Sequence, residues 1–157
     1  MNPGFNMVEN TYVVALVDNN DDDVVLFCRA LKAAGFENPV IVLRSGEEAV
    51  RYFKGEGAFS DREKFPLPRL LLVDKKLSGI SGLELLAWLR LRDELNGLPI
   101  IMMTGSHDVG DIMRAYSAGA SSFVTKSSDP KEFKEQVRSM AEFWLRHSQL
   151  PPQAHPV

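Results

Sequence analysis

Four polar positions stand where short apolar runs stop, and their chemical types suit one another. Asp18, followed by Asn19 and Asn20, ends the run from Tyr12 to Val17. Asp74 ends Leu70 to Val73, Thr104 ends Pro99 to Met103, and Thr125-Lys126 ends the run that starts at Ser122. Carboxylates at two strand ends offer the oxygen ligands that a hard cation such as Mg²⁺ prefers. Asp74 is placed to act as a nucleophile toward a phosphoryl group. The charge so added calls for a hydroxyl donor and an ammonium, and Thr104 and Lys126 supply one of each.

Such a convergence requires the runs to be strands of one sheet. The first three are four to six residues long and apolar without alternation, as expected of a strand covered on both faces, and Ser122 to Thr125 is read as a further strand. A second strand is read over Val40 to Leu43. Helical spacing fills the gaps. Val24, Phe27, Leu31 and Ala34 mark the first helix, with Asp21 or Asp22 as its cap and Gly35 as its stop. Glu47 to Lys54 forms a short second helix, a third starts near Ser81, and Asp108 caps a fourth that Gly119 ends. Asp129-Pro130 opens the last helix, which runs to Trp144 with Pro at its first position. Residues 55–68 read as a long polar loop. Five alternations of strand and helix predict a parallel sheet with helices on both faces. In that architecture the functional crevice lies beyond the carboxyl ends of the strands.

Composition limits the alternatives. The chain has 157 residues, 45% hydrophobic and 25% charged, which suits one globular domain. A net charge of −3 argues against a protein devoted to nucleic-acid phosphates. No apolar run reaches the length of a membrane span. The lone Cys28 forms no intrachain disulfide, so a cytoplasmic setting is expected, with Cys28 itself in the core. Asp18 to Asp23 is not a calcium loop, because it lacks the glycine at the sixth position and Arg29 stands where the glutamate belongs. His107 reads as an exposed loop residue.

The residues Leu71-Leu72-Val73-Asp74, then Leu77 to Gly82, Met103-Thr104-Gly105, and Gly119 to Lys126 resemble, in that order, the receiver domains of bacterial two-component response regulators. The long loop and the ending Phe143-Trp144-Leu145 are similar to stand-alone, phytochrome-associated receivers. The resemblance spans about Tyr12 to Trp144. It implies a flavodoxin-like, doubly wound five-stranded sheet in the order 2-1-3-4-5. It also implies Asp74 as phosphoacceptor, Thr104 and Lys126 as its catalytic partners, and Thr104 with Phe123 as a switch. Metal would be held by Asp18, Asn19, Asp74 and the Lys76 backbone carbonyl. The implied function is a single-domain response regulator taking a phosphoryl group from a histidine kinase or phosphodonor and signalling by protein–protein contact. At most it would phosphorylate and dephosphorylate itself. The implied partners are a sensor kinase or phosphotransfer protein, a downstream target, and a second copy through helix 4, strand 5 and helix 5, with Ile112, Tyr116, Phe123 and Trp144 as apolar candidates. Domain limits are expected at 1–10 for a flexible N-terminus, 11–147 for the receiver and 148–157 for a disordered tail, with no output domain following.

The departures from that family fall at the chemistry. Asn19 replaces the second acid, and Lys75 and Lys76 follow the acceptor, so Mg²⁺ affinity is expected to fall. The Lys76 ammonium is expected near Asp74, partly replacing the ion. Ser127 replaces the usual proline. The Lys126-Ser127 bond is therefore expected to be trans, with a shifted loop and room for Lys126 to be displaced. These departures keep a second reading open: a pseudo-receiver that binds partners without phosphorylation.

Overall fold

The computed structural model describes residues 12–151. Five parallel strands lie in the order β2-β1-β3-β4-β5: β1 (Val14–Val17), β2 (Val40–Leu43), β3 (Leu70–Val73), β4 (Ile100–Thr104) and β5 (Ser122–Thr125). Five helices cover the sheet: α1 (Asp21–Ala33), α2 (Gly46–Lys54), α3 (Gly82–Arg90), α4 (Val109–Ser117) and α5 (Pro130–Ala141). This is the doubly wound order that the resemblance to receiver domains implies.

Side-chain alternation along each strand divides the apolar residues into two cores. Leu16, Leu72 and Met103 face α1 and α5, together with Phe27, Leu31 and Val137. Val17, Val73 and Met102 face α2, α3 and α4, together with Tyr52, Leu86 and Ala115. Strands β1 and β3 are buried along their whole length and carry no polar position until they end. That is why the residues that follow them, Asp18 and Asp74, mark the crevice.

Local chemistry moves several boundaries. The cap of α1 is Asn20, whose side chain accepts from the Asp23 N–H at 3.1 Å, rather than Asp21 or Asp22. Ser45 caps α2, which therefore opens at Gly46. Thr104 belongs to β4, paired with Thr125. The α5 helix continues into a π-helical turn over Glu142–His147, whose Leu145 joins the first core. Cys28 is only half-buried at the edge of that core.

The stretch read as a polar loop, 55–68, is packed. The Phe59 ring meets those of Tyr52 and Phe65 edge to face at 5.5 and 5.1 Å. Arg62 donates to the carbonyls of Tyr52 and Phe53 at 2.7 and 2.9 Å, and the Tyr52 hydroxyl donates to the Pro66 carbonyl. At the amino ends of the strands, the Arg90 guanidinium bonds the carbonyls of Gly119, Leu95 and Leu98 at 2.8–2.9 Å. The expected N-terminal segment 1–10 lies outside the described residues. Of the expected tail, residues up to Pro151 are described, and the Pro151 carbonyl accepts from Arg69 at 2.8 Å.

Candidate functional site

The carboxyl ends of β1, β3, β4 and β5 open into a crevice of about 830 Å³, lined among others by Asn19, Asp74, Lys76, Thr104, His107 and Lys126. Strand pairing assembles it. The Asp74 N–H donates to the Val17 carbonyl at 2.9 Å, and the Lys126 N–H donates to the Thr104 carbonyl at 2.8 Å. Neighbouring strands thus set Asp18 beside Asp74, and Thr104 beside Lys126.

The Lys126 ammonium is the centre of the arrangement. Its Nζ lies 2.9 Å from Asp18 Oδ2, 3.0 Å from Asp23 Oδ2 and 3.2 Å from Asp74 Oδ2. Three carboxylates against one ammonium leave two formal negative charges in a small volume. The Asp18 side chain is 2% exposed, Asp74 13% and Asp23 35%. Burial pushes the Asp18 carboxyl up from the usual range, partly offset by the Asn20 N–H at 2.9 Å and by Lys126. For Lys126, burial would depress the ammonium, but its bonds to Asp18 and the charge of Asp74 outweigh that and raise it. The second oxygen of Asp74 accepts the Lys76 N–H at 3.1 Å.

One carboxylate oxygen from each of Asp18, Asp23 and Asp74 lies within 4.8 Å of the other two. An all-oxygen donor set with excess negative charge fits a hard divalent cation. Asp23 was not among the sequence candidates, although it belongs to the acidic run after β1. Asn20 as cap puts Asp23 in the first turn of α1, on the side that faces β1. Asn19 is exposed on the outer rim, not in the inner group.

Two expectations are corrected. The ammonium that meets Asp74 is that of Lys126, not Lys76. Lys76 is exposed and forms no ion pair among the described residues. The Lys75 ammonium turns away to the carboxylate of Asp111 in α4, at 2.5 Å, where Arg114 at 2.5 Å and Ser106 at 2.9 Å also bond. Lys75 and then Arg114 hold the Asp111 carboxyl down at about 2. Lys75 therefore adds little uncompensated charge to the crevice. The second correction concerns Lys126. The Lys126-Ser127 peptide is trans, as expected, since the described residues hold no cis bond. Yet Lys126 is not displaced. Gln136 in α5 accepts the Ser127 N–H at 3.0 Å and donates to the Thr125 carbonyl at 2.8 Å, holding the chain on both sides of it.

Thr104 is buried at the crevice floor. Phe123 packs half-buried against the second core, and its N–H donates to the Tyr116 hydroxyl at 3.1 Å. His107 is exposed on the rim. The apolar side chains exposed along α4 and after α5 are Val109, Met113, Tyr116 and Phe143. Ile112, Phe123 and Trp144 are half-buried instead.

The profile of the response regulator receiver domain matches residues 14–138. The chain belongs to that family. This receiver is 30% identical over 139 residues to the response regulator Rcp1 of Synechocystis sp., covering 88% of the chain and 92% of the relative. The crystal structure of the phosphorylated cyanobacterial phytochrome response regulator RcpA superposes on the receiver with a TM-score of 0.84 at 28% identity. It covers 90% of this chain and 99% of that one. The Mn²⁺-bound form of response regulator Rcp1 follows with a TM-score of 0.82 at 29% identity and the same coverage. The sequence resemblance to phytochrome-associated receivers thus agrees with these relatives. Among the described residues no helix is long and apolar enough to cross a membrane.

Proposed function

We propose that this receiver is a single-domain, cytoplasmic response regulator whose Asp74 accepts a phosphoryl group from a histidine kinase, a phosphotransfer protein or a small phosphodonor. The observation that carries the reading is the Lys126 ammonium 3.2 Å from Asp74, with Asp18 and Asp23 beside it. An Asp74 oxygen forms the new bond to phosphorus as the bond from phosphorus to the donor's nitrogen or oxygen breaks. The Lys126 ammonium and the Thr104 hydroxyl then take the oxygens of the transferred group. Asp18, Asp23 and Asp74 are the residues that would hold Mg²⁺, with the Lys76 carbonyl and Asn19 at the open side. Bound there, the cation would offset the charge of both the attacking carboxylate and the incoming group. Asp23 supplies a charge that Asn19 lacks, which favours a phosphoacceptor over a phosphorylation-independent module.

Output would pass through Phe123, Tyr116 and α4 to a downstream protein, or to a second copy across the face that exposes Val109, Met113 and Tyr116. Acetyl phosphate or beryllofluoride with Mg²⁺ tests the reading by amide NMR. A response at Thr104 and Phe123 that disappears in Asp74→Ala is the expected result. No response in the wild-type protein supports the pseudo-receiver instead.

A further inference from the structure

The geometry points to Gln136 as the positioning residue for Lys126, acting as a one-residue substitute for a sixth strand. In a parallel ladder, a residue on one strand donates to the carbonyl before its partner and accepts from the N–H after it. The Gln136 side-chain amide does the same toward Lys126. It donates from Nε2 to the Thr125 carbonyl at 2.8 Å and accepts at Oε1 from the Ser127 N–H at 3.0 Å. Strand β5 is the edge of the sheet, so neither group has a strand partner on that side.

Both peptide units flanking Lys126 are thereby fixed, while its own N–H is fixed by the Thr104 carbonyl. A lysine stem has four flexible carbons, and an anchored base limits where its ammonium can go. The device depends on Ser127, because a proline there has no N–H to offer. The Ser127 hydroxyl holds the turn further, donating to Glu132 at 2.9 Å and accepting from the Asp129 N–H at 3.1 Å. Gln136 itself sits one residue before Val137, which is buried in the first core, so its own base is rigid.

The consequence for the site rests on the proposed function, but the placement does not. An anchored Lys126 competes with a divalent cation for Asp18, Asp23 and Asp74. An unanchored one competes less. The test uses the full chain and compares Gln136→Ala, Ser127→Pro and the double variant in the absence of phosphodonor. In Gln136→Ala the Ser127 amide should exchange its hydrogen about ten-fold faster, the size of one lost hydrogen bond, with Val124 unchanged. Mn²⁺ affinity, read by electron paramagnetic resonance, should tighten by about threefold, as when a partly solvated ion pair stops competing. Local damage would weaken it instead. Adding Gln136→Ala to Ser127→Pro should change the melting temperature and the Mn²⁺ affinity less than it does in the wild-type chain, because only the bond to the Thr125 carbonyl is then left to lose. Unchanged Ser127 exchange overturns the clamp, as does a Mn²⁺ affinity that falls, or an equal effect of Gln136→Ala in the Ser127→Pro background. If the wild-type chain takes up neither Mn²⁺ nor a phosphoryl group, the functional reading fails and the exchange result alone decides the clamp.

Discussion

Replacing Lys126 by Met removes the one positive charge among three carboxylates while keeping most of the stem's volume. Breaking a buried ion pair from one side costs about 3–5 kcal/mol, because it strands the other charge. Asp18 is fully enclosed, whereas Asp23 is 35% exposed and can regain water, so the low end, about 3 kcal/mol, is expected. For a chain of this size the melting temperature should fall by about 6–12 °C. The loss should depend on pH with a definite sign. Burial already raises the Asp18 carboxyl, and Lys126 pulls it back; without Lys126 it rises further. A carboxyl whose folded value lies above its unfolded one stabilises when protonated, and that contribution is lost as pH rises through the folded value. The gap between wild type and variant should therefore be widest near neutral pH and close toward pH 4. Mg²⁺ should narrow it too, since a ligand at a hundred times its dissociation constant adds about 2.7 kcal/mol, and the variant's carboxylates face no competing ammonium. Circular-dichroism melts in EDTA and in Mg²⁺, at pH 5 and pH 7.5, give the readout. Equal melting temperatures in EDTA, or a gap that widens on acidification, would refute the reasoning.

Two further outcomes follow from the walls of the crevice. Asp111 is held down at about 2 by Lys75 and Arg114, so its contribution is present above the ordinary value of 3.8 and is lost as pH falls through about 2. Lys75→Met should move that loss upward toward 3.8, visible in an acid titration followed by circular dichroism; superimposable acid limbs would show that the ion pair is idle. A Cβ at Gly82 would stand 2.3 Å from the Asp74 carbonyl and 2.8 Å from Lys75 Cα, both backbone. Gly82→Ala should therefore cost about 1–3 kcal/mol as the loop after β3 gives way, with beryllofluoride binding impaired at the same time; a variant with wild-type stability and binding counts against so tight a fit.

How much of this could be read from residues alone depends on the range of the interaction. Strand ends were legible, because a strand apolar on both faces stops sharply at its first polar residue. Asp18 and Asp74 are such residues; Thr104 is the last residue of β4 and Lys126 follows β5 directly. Asp23 was not, because its direction depends on where α1 begins. Asn20, Asp21 and Asp22 are all competent caps, and a shift of one residue turns a helical side chain by about 100°. The partner of Lys75 was hidden for another reason: Asp111 lies 36 residues on, in α4. Loop 55–68 misled by composition. Its polar residues other than Arg62 are exposed, but Phe59 and Phe65 tie it to Tyr52. Gln136 gave no signal at all, since a glutamine on a polar helical stretch looks like solvent-facing surface.

Arg90 has a practical consequence for anyone who wants to watch this receiver change state. Its guanidinium joins the segments leading into β4 and β5 at the end of the sheet remote from Asp74. Displacements that begin at the crevice must die away toward that joint, as the free end of a clamped beam moves and its root does not. A spin label or fluorophore at the exposed Asn96 would serve as a fixed reference. One at Met113, exposed on α4, would be the pointer. The distance between the two, measured with and without beryllofluoride, would read the stroke directly.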